Sequence, residues 1–378
     1  MMITDSELYI HIPFCVKKCL YCDFLSFSAD EKVKEKYIEA LRAELMFIGK
    51  ERCSASLSSV FIGGGTPSVL PAELITRVMD SVKENFTLNP DAEVTIECNP
   101  GTVDEEKLKA YFECGINRIS FGLQSVHDEE LKKLGRIHKF EDFLRSYEAA
   151  VKAGFTNINV DLMSDIPGQT ADSWNKTLRT ICELKPAPTH ISAYSLIVEE
   201  GTPFSEMAED GKLDIPDEDT DREMYHMTSL ILSEYGYKRY EISNYSKDGY
   251  ECRHNLGYWT GVTYYGAGLG AASYYEGCRF TNTSELPVYM DDPIDSFKLD
   301  EKLTSADKMS EFMILGLRLT KGVKTAEFAE KFERKLPDVY GREIERFKAE
   351  GLLIEESGML HLTERGLDLA NVVMQAFI

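Results

Sequence analysis

The sequence predicts an α/β protein built on a parallel sheet, followed by a smaller C-terminal domain of helices and one hairpin. Three observations carry this. Short apolar runs alternate with amphipathic stretches from about residue 8 to residue 196, and several of these runs end in a glycine or a polar residue. From about residue 301 the alternation gives way to apolar helical patterns and a short hairpin. Strand and helix in strict turn imply βαβ units, because parallel neighbours need a long crossover between them. Folds of this kind place their chemistry at the carboxyl ends of the strands.

The first strand lies in Leu8-Tyr9-Ile10-His11-Ile12-Pro13-Phe14, and a helix follows Lys32 with Tyr37, Leu41 and Leu45 on one side. Ser59 to Ile62 is the second strand, ending in Gly63-Gly64-Gly65-Thr66-Pro67; Leu74, Val78 and Val82 then mark a helix after Pro71. Val94-Thr95-Ile96 ends at Glu97, with Leu108 and Phe112 in the helix beyond. Ile119 to Leu123 ends at Gln124, Ile158 to Leu162 contains Asp161, and His190 to Leu196 is the sixth strand. These define a core over 1–196. Over 197–300 the alternation fades into an extension with a helix carrying Tyr225, Leu230, Ile231 and Leu232. That extension also carries Glu241-Ile242-Ser243-Asn244-Tyr245, the run Cys252 to Trp259, and the glycine-rich run Tyr264 to Ser273. Residues 301–378 form the last domain: helices around Met309–Leu317, Phe328 and Ile344, a hairpin turning at Gly358, and a final helix led by Thr363. Helices followed by such a wing look like a winged helix.

Composition narrows the function classes. A formal net charge of -22 argues against nonspecific attraction to nucleic acid or an anionic membrane. The last domain carries 12 Lys plus Arg against 14 Asp plus Glu, too acidic for a phosphate-reading surface. No apolar run is long enough to span a bilayer and no signal core opens the chain, so a cytoplasmic, reducing location is expected. Of nine cysteines only Cys15, Cys19 and Cys22 are clustered, and the scattered six read as free thiols.

Cys15-Val16-Lys17-Lys18-Cys19-Leu20-Tyr21-Cys22 puts three thiols on one loop after the first strand. Three thiolates satisfy three irons of a 4Fe–4S cubane and leave the fourth for an exchangeable ligand. Zinc is the rival metal, with His11 as the nearest candidate fourth ligand; three ordinary buried thiols are the plainer alternative. The glycine run suits a tight strand-to-helix turn as well as a ligand cradle; it has neither P-loop nor Rossmann spacing. Aromatics, His254, Arg253 and close-approach glycines in the extension suit a flat conjugated ligand, and equally a packed barrel edge.

The cysteine loop resembles the CxxxCxxC signature of the radical S-adenosylmethionine (radical SAM) proteins. The wider run IHIPFCVKKCLYCDF resembles their oxygen-independent coproporphyrinogen III oxidase-like branch, closest to its haem chaperones, the HemW group. The resemblance covers essentially the whole chain and sharpens the fold to a partial (β/α)6 barrel followed by a winged-helix-like domain. It implies a 4Fe–4S cluster on Cys15, Cys19 and Cys22, with S-adenosylmethionine on its fourth iron. Gly64, Gly65 and Thr66 match the GGGTP cofactor segment, and Glu97, Gln124, Arg136 and Asp161 match polar cofactor contacts. Tyr21 takes the place of an aromatic near adenine, and Tyr9 joins the cofactor-binding set. Haem, or another tetrapyrrole, is the third expected ligand, with His254 of the HNxxYW-like run as its contact. A haem-accepting protein and a reducing electron donor are the implied partners.

Two departures matter. Asp165 stands where relatives often carry glycine, and Ala272 where many carry histidine before serine. Phe24 occupies the position at which the oxidases carry a further cysteine, so radical chemistry is implied while coproporphyrinogen III oxidase activity is not expected. Oxidative decarboxylation of that substrate is the alternative function; a winged-helix nucleic-acid binder with a structural cluster is the third.

Overall fold

The structure, a computed structural model, describes residues 5–378. The first half is the expected alternation: β1 (Ser6–Ile12), α1 (Glu31–Phe47), β2 (Leu57–Gly64), α2 (Ala72–Asn85), β3 (Leu88–Cys98), α3 (Glu105–Glu113) and β4 (Arg118–Gln124). It continues through α4 (Asp128–Lys133), α5 (Phe140–Ala153), β5 (Asn157–Ser164), α6 (Ala171–Cys182) and β6 (His190–Ser195). Local chemistry sets the helix ends. Asp30, Asp104 and Thr170 each accept from the amide three residues on, and Gly154 ends α5 at φ 105°.

The extension contains α7 (Pro203–Glu209), α8 (Glu218–Glu234), β7 (Lys238–Arg239), β8 (Asn244–Ser246), α9 (Arg253–Thr260) and β9 (Thr263–Ala267). It ends with β10 (Ala272–Tyr275), β11 (Cys278–Asn282), α10 (Leu286–Asp291) and β12 (Phe297–Lys302). The strands from β1 to β12 form one sheet in the order β12-β11-β10-β9-β1-β2-β3-β4-β5-β6-β8-β7. β1 through β6 are parallel neighbours in chain order and β9 runs parallel to β1, while β8 and β10 to β12 turn antiparallel. The sheet is therefore a partial barrel, and the extension continues it at both edges. The antiparallel strands escape the sequence pattern because neither of their faces is uniformly apolar.

Alternation along the strands separates two environments. Leu8, Ile10 and Ile12, with Val60, Ile62, Val94, Ile96, Ile119, Phe121, Val160 and Leu162, belong to one core with Leu41, Val78, Leu108, Phe143 and Leu178 of the helices. Each such side chain contributes roughly 1.5–3 kcal/mol on burial. The alternate residues run across the sheet in register as polar rows: Glu7 beside Ser59 beside Glu93, then Glu97 beside Ser120 beside Asn159 beside His190. A polar barrel interior with an apolar jacket leaves the lumen for side chains with chemical work.

The C-terminal residues build α11 (Ser305–Gly316), β13 (Val323–Lys324), α12 (Thr325–Phe332), α13 (Leu336–Ala349), β14 (Leu353–Glu356), β15 (Met359–Leu362), α14 (Glu364–Asp368) and α15 (Ala370–Gln375). They have a separate core around Met313, Phe328, Phe347, Leu360 and Phe377. The expected hairpin turns through Ser357 and Gly358, both at positive φ, and β13 adds a third strand that two residues are too few to announce. Among the described residues no helix is long and apolar enough to cross a membrane, and no disulfide is formed.

Candidate functional site

The cysteine loop leaves β1 at the carboxyl end of the sheet and is anchored first by backbone hydrogen bonds. Cys15 N–H donates to Phe27 O at 3.0 Å, Leu20 N–H to Leu134 O at 3.0 Å, and Cys22 N–H to Cys19 O at 3.3 Å. Its neighbour is the glycine turn at the end of β2. Gly65 N–H donates to Ile12 O and Thr66 N–H to Phe14 O, at 2.9 and 2.8 Å. A Cβ on Gly65 would lie 2.8 Å from Phe14 O and 3.0 Å from Cys15 Sγ, so only glycine lets the two segments meet. Gly64 sits at φ 114°, and a Cβ there would strike the His11 ring. Thr66 is buried, with Oγ1 3.4 Å from Cys15 Sγ.

From Thr66 a hydrogen-bonded chain spreads over the next strand ends. Asn99 Nδ2 donates to Thr66 Oγ1 at 2.7 Å, and Arg136 Nη1 donates to Asn99 Oδ1 at 2.8 Å. Arg136 Nη2 donates to Tyr21 Oη at 2.7 Å, returning the chain to the cysteine loop. Burial works against the Arg136 charge, but Tyr21, Cys19 and Tyr194 more than offset it and raise its pKa. Burial pushes the Tyr21 hydroxyl up to about 12 even against the Arg136 charge, so it remains a neutral acceptor for that guanidinium. Arg136 Nε is buried without a partner, a free donor at the edge of the cradle.

Glu97 and Asp161 lie deeper. Gly64 N–H donates to Glu97 Oε2 at 3.0 Å. Burial, with Asp161 adding to it, pushes Glu97 up to about 8. Asp161 accepts from Ser120 Oγ at 3.2 Å and Asn159 Nδ2 at 2.7 Å, and burial raises its pKa against those bonds. Gln124 is a non-glycine residue at φ 76°, next to a break in the β4–β5 register, and its Oε1 accepts from Tyr194 Oη at 2.7 Å. That left-handed conformation is rare and marks a constrained site. Asn99 and Tyr194 were not singled out from the sequence. Asn99 had a readable signal, a polar residue before proline just beyond a strand-end glutamate; Tyr194 had none, since mid-strand tyrosines usually pack.

Asp165 adopts φ 64°, a left-handed turn that glycine takes at no cost and aspartate tolerates. Burial, then the neighbouring Asp221, pushes it up to about 6. Ala272 is exposed at the start of β10.

The remaining two expected contacts sit lower in the barrel. Tyr9 Oη is 3.0 Å from His11 Nδ1, and the Tyr9 ring is 6.5 Å from that of His254. His254 belongs to α9, which plugs the amino-terminal end of the lumen. Glu93 accepts there from Arg253 N–H and His254 N–H, at 3.3 and 3.4 Å. Both His254 ring nitrogens are engaged, Nδ1 with Ser59 Oγ at 2.7 Å and Nε2 with Tyr258 Oη at 3.0 Å. Burial, aided by the Arg118 charge, lowers its pKa to about 3, so the ring is neutral. The structure thus brings the cysteine loop, Tyr21, Gly64, Gly65, Thr66, Glu97, Gln124, Arg136 and Asp161 to one end, and places His254 at the other.

The cradle fits a three-thiolate cluster with an amino-acid-like ligand. A gap only glycine can leave lies against Cys15, and a fixed guanidinium suits a carboxylate. Among the described residues no group of three or more His, Cys, Asp or Glu side chains is placed to hold a metal ion. A cubane takes each cysteine on a different iron.

Two buried carboxyls away from this cradle make stability pH-dependent. Burial pushes Glu7 up to about 8 and Glu44 up to about 7. Glu44 accepts from Tyr289 Oη at 2.6 Å, Asn282 Nδ2 at 2.6 Å and Gly268 N–H at 2.8 Å, pinning the glycine-rich segment to α1. Both groups keep in the folded state a proton that the unfolded chain has lost, so their contribution declines as pH rises to their folded pKa. Thermal midpoints are expected to fall between pH 6.5 and 8, by roughly 1 kcal/mol per pH unit in stability. Glu7→Gln should flatten part of the slope; an unchanged slope would count against a protonated Glu7.

Residues 9–181 match the Radical SAM superfamily, and residues 303–369 match the HemN C-terminal domain. The chain is 36% identical over 379 residues to a protein of Bacillus subtilis (strain 168) named Heme chaperone HemW, covering 99% of each. It is also 36% identical over 379 residues to the protein of that name in Lactococcus lactis (strain IL1403), covering 100% of this chain and 98% of that one. The solved coproporphyrinogen III oxidase of Escherichia coli shares the fold, with a TM-score of 0.86 at 23% identity over 99% of this chain and 90% of that one.

Proposed function

From the premise that the chain belongs to the HemW family of radical SAM proteins, we propose that it is a cytoplasmic haem chaperone. It holds a 4Fe–4S cluster, S-adenosylmethionine and haem, and passes the haem to an acceptor protein. The observation that carries this reading is the junction of Cys15, Gly65, Thr66, Asn99 and Arg136, in a chain that matches proteins named haem chaperones from end to end.

Cys15, Cys19 and Cys22 would hold the cluster, which would supply an electron to the sulfonium of S-adenosylmethionine when both are bound. Gly64 and Gly65 let the backbone approach the cofactor, and Thr66 and Asn99 fix the approach. Arg136 orients a carboxylate as a rigid fork. Glu97 and Asp161 accept from amino and hydroxyl groups, and Gln124 offers both a donor and an acceptor. Tyr21 presents its ring beside Arg136, while Tyr9 closes the lumen beneath. His254 would reach haem only if Tyr258 released its Nε2, and its neutral ring would be the ligating form. A reducing protein supplies the electrons. Nucleic acid is not a partner.

Phe24 separates this function from the oxidase. With S-adenosylmethionine, a strong reductant and coproporphyrinogen III under anaerobic conditions, no protoporphyrinogen IX is expected. Added haem should bind and move to an apoprotein acceptor. Sustained carbon dioxide release with the decarboxylated product would sink the chaperone reading.

A further inference from the structure

A cavity of about 460 Å³ opens between the amino-terminal end of the barrel and the C-terminal residues, walled by α9, β9 to β11, α11 and α12. Pockets of this volume are the size of drug-like or cofactor sites. Its aromatic wall comprises Tyr258, Trp259, Tyr264, Tyr274 and Phe312. Tyr258 and Tyr264 meet edge to face with centroids 4.8 Å apart. The charged wall comprises Arg279, Lys308, Lys321, Lys324 and Lys331 against only Glu311 and Glu327, in a chain of net charge -22. Arg279 is paired with Glu311 at 2.5 Å. Among the described residues Lys308, Lys321, Lys324 and Lys331 make no salt bridge. Local positive charge with aromatic faces suits a planar ligand bearing carboxylates.

The cavity stands well away from the cysteine loop. Tyr264 is level with Glu7, five residues before Ile12, which is roughly 16 Å of strand. The lumen between is filled by Tyr9, Phe61 and His254, whose ring centroids are 5.2 to 6.5 Å apart. Reacting atoms must come within about 3–3.5 Å of each other, so a ligand in this cavity is out of reach of a radical made at the cysteine end.

We infer that this cavity is the binding site for a planar, carboxylate-bearing macrocycle of the haem type, held as cargo and not as a substrate of the radical chemistry. The inference rests on the proposed haem chaperone function and gives it a location. The macrocycle packs among Tyr258, Tyr264 and Tyr274, and its carboxylates meet the unpaired lysines. Tyr258 is at once a cavity wall and the partner of His254 Nε2, so a seated ligand is one hydrogen bond from that imidazole.

The test is titration of the full-length protein with haemin and with haemin dimethyl ester, followed by Soret absorbance and tryptophan quenching. Trp259 lines the cavity, whereas Trp174, the other of the two tryptophans, is buried elsewhere. The double variants Lys308→Glu/Lys331→Glu and Lys308→Gln/Lys331→Gln alter rim side chains and should leave circular dichroism unchanged. Haemin affinity should fall at least tenfold in the first and less in the second, while the uncharged ester should bind all three proteins alike. The variant lacking Cys15, Cys19 and Cys22 should keep haemin affinity within about twofold. Undiminished haemin binding by both lysine variants would overturn the location, and lost binding in the cysteine variant would overturn the separation. No haemin binding by the unaltered protein would instead defeat the chaperone reading, and this inference with it.

Discussion

Replacing any one of Cys15, Cys19 and Cys22 with serine is expected to reduce iron and sulfide to background after anaerobic reconstitution. A serine oxygen is a harder, less readily ionised ligand than a thiolate, and iron–sulfur clusters select thiolates. The loop itself should survive, because its anchors are backbone hydrogen bonds to Phe27 and Leu134 that no cysteine side chain supplies. Loss of the cluster can therefore be separated from loss of fold by circular dichroism. Cys53→Ser, with a thiol near Ser6 at the start of β1, is the control that should keep full cluster content. In the unaltered protein S-adenosylmethionine should change the electron paramagnetic resonance of the reduced cluster, and Arg136→Met should weaken that response while the iron stays. Full iron and sulfide in a single-serine variant would refute the three-cysteine assignment. Stoichiometric zinc without sulfide in the unaltered protein would do the same.

Arg118→Met is expected to be the most destabilising single change in the barrel, at about 3–5 kcal/mol, the usual cost of leaving a buried ion without its partner. Among the described residues Arg118 is the one lysine or arginine that is fully buried. It lies 4.0 Å from Glu93, which is buried as well and accepts from the amino-terminal amides of α9. Removing the guanidinium takes the buried cation away from Glu93 and Asp161. Some of the loss will be recovered as a carboxyl takes up a proton, so the cost should grow with pH. Urea unfolding at pH 6.5 and 8 measures it. Glu93→Gln in the same chain should restore part of the stability, although it weakens the cap on α9. A loss below about 1 kcal/mol would show that the lumen is hydrated well enough to need no internal cation.

Much of the cysteine end was legible because its signals are local. Three thiols on one loop, three consecutive glycines before Thr66-Pro67, and polar residues closing apolar strands are all short-range patterns. The parallel sheet, too, follows from alternation in which each strand buries one face against a helix. Gln124 and Asp165 illustrate the boundary: both stand out in the sequence as polar residues near strand ends, while their left-handed backbone shows only in the fold.

What the sequence alone determined is the order of βαβ units, the cysteine loop, the glycine turn and the apolar jacket, since periodicity and turn chemistry act over a few residues. What only the tertiary structure decided is who meets whom across the sheet. Asn99 joins Thr66 to Arg136, Arg118 faces Glu93, and α9 carries His254 into the lumen, where Ser59 and Tyr258 take both its nitrogens. The 460 Å³ cavity depends on bringing α11 and α12 against β9 to β11, residues far apart in the chain. The physical reason is that burial and charge pairing are properties of neighbours in space. His254 stands out in the sequence as a histidine in an aromatic run; that its ring must give up a hydrogen bond before it can take a ligand is visible only in the fold.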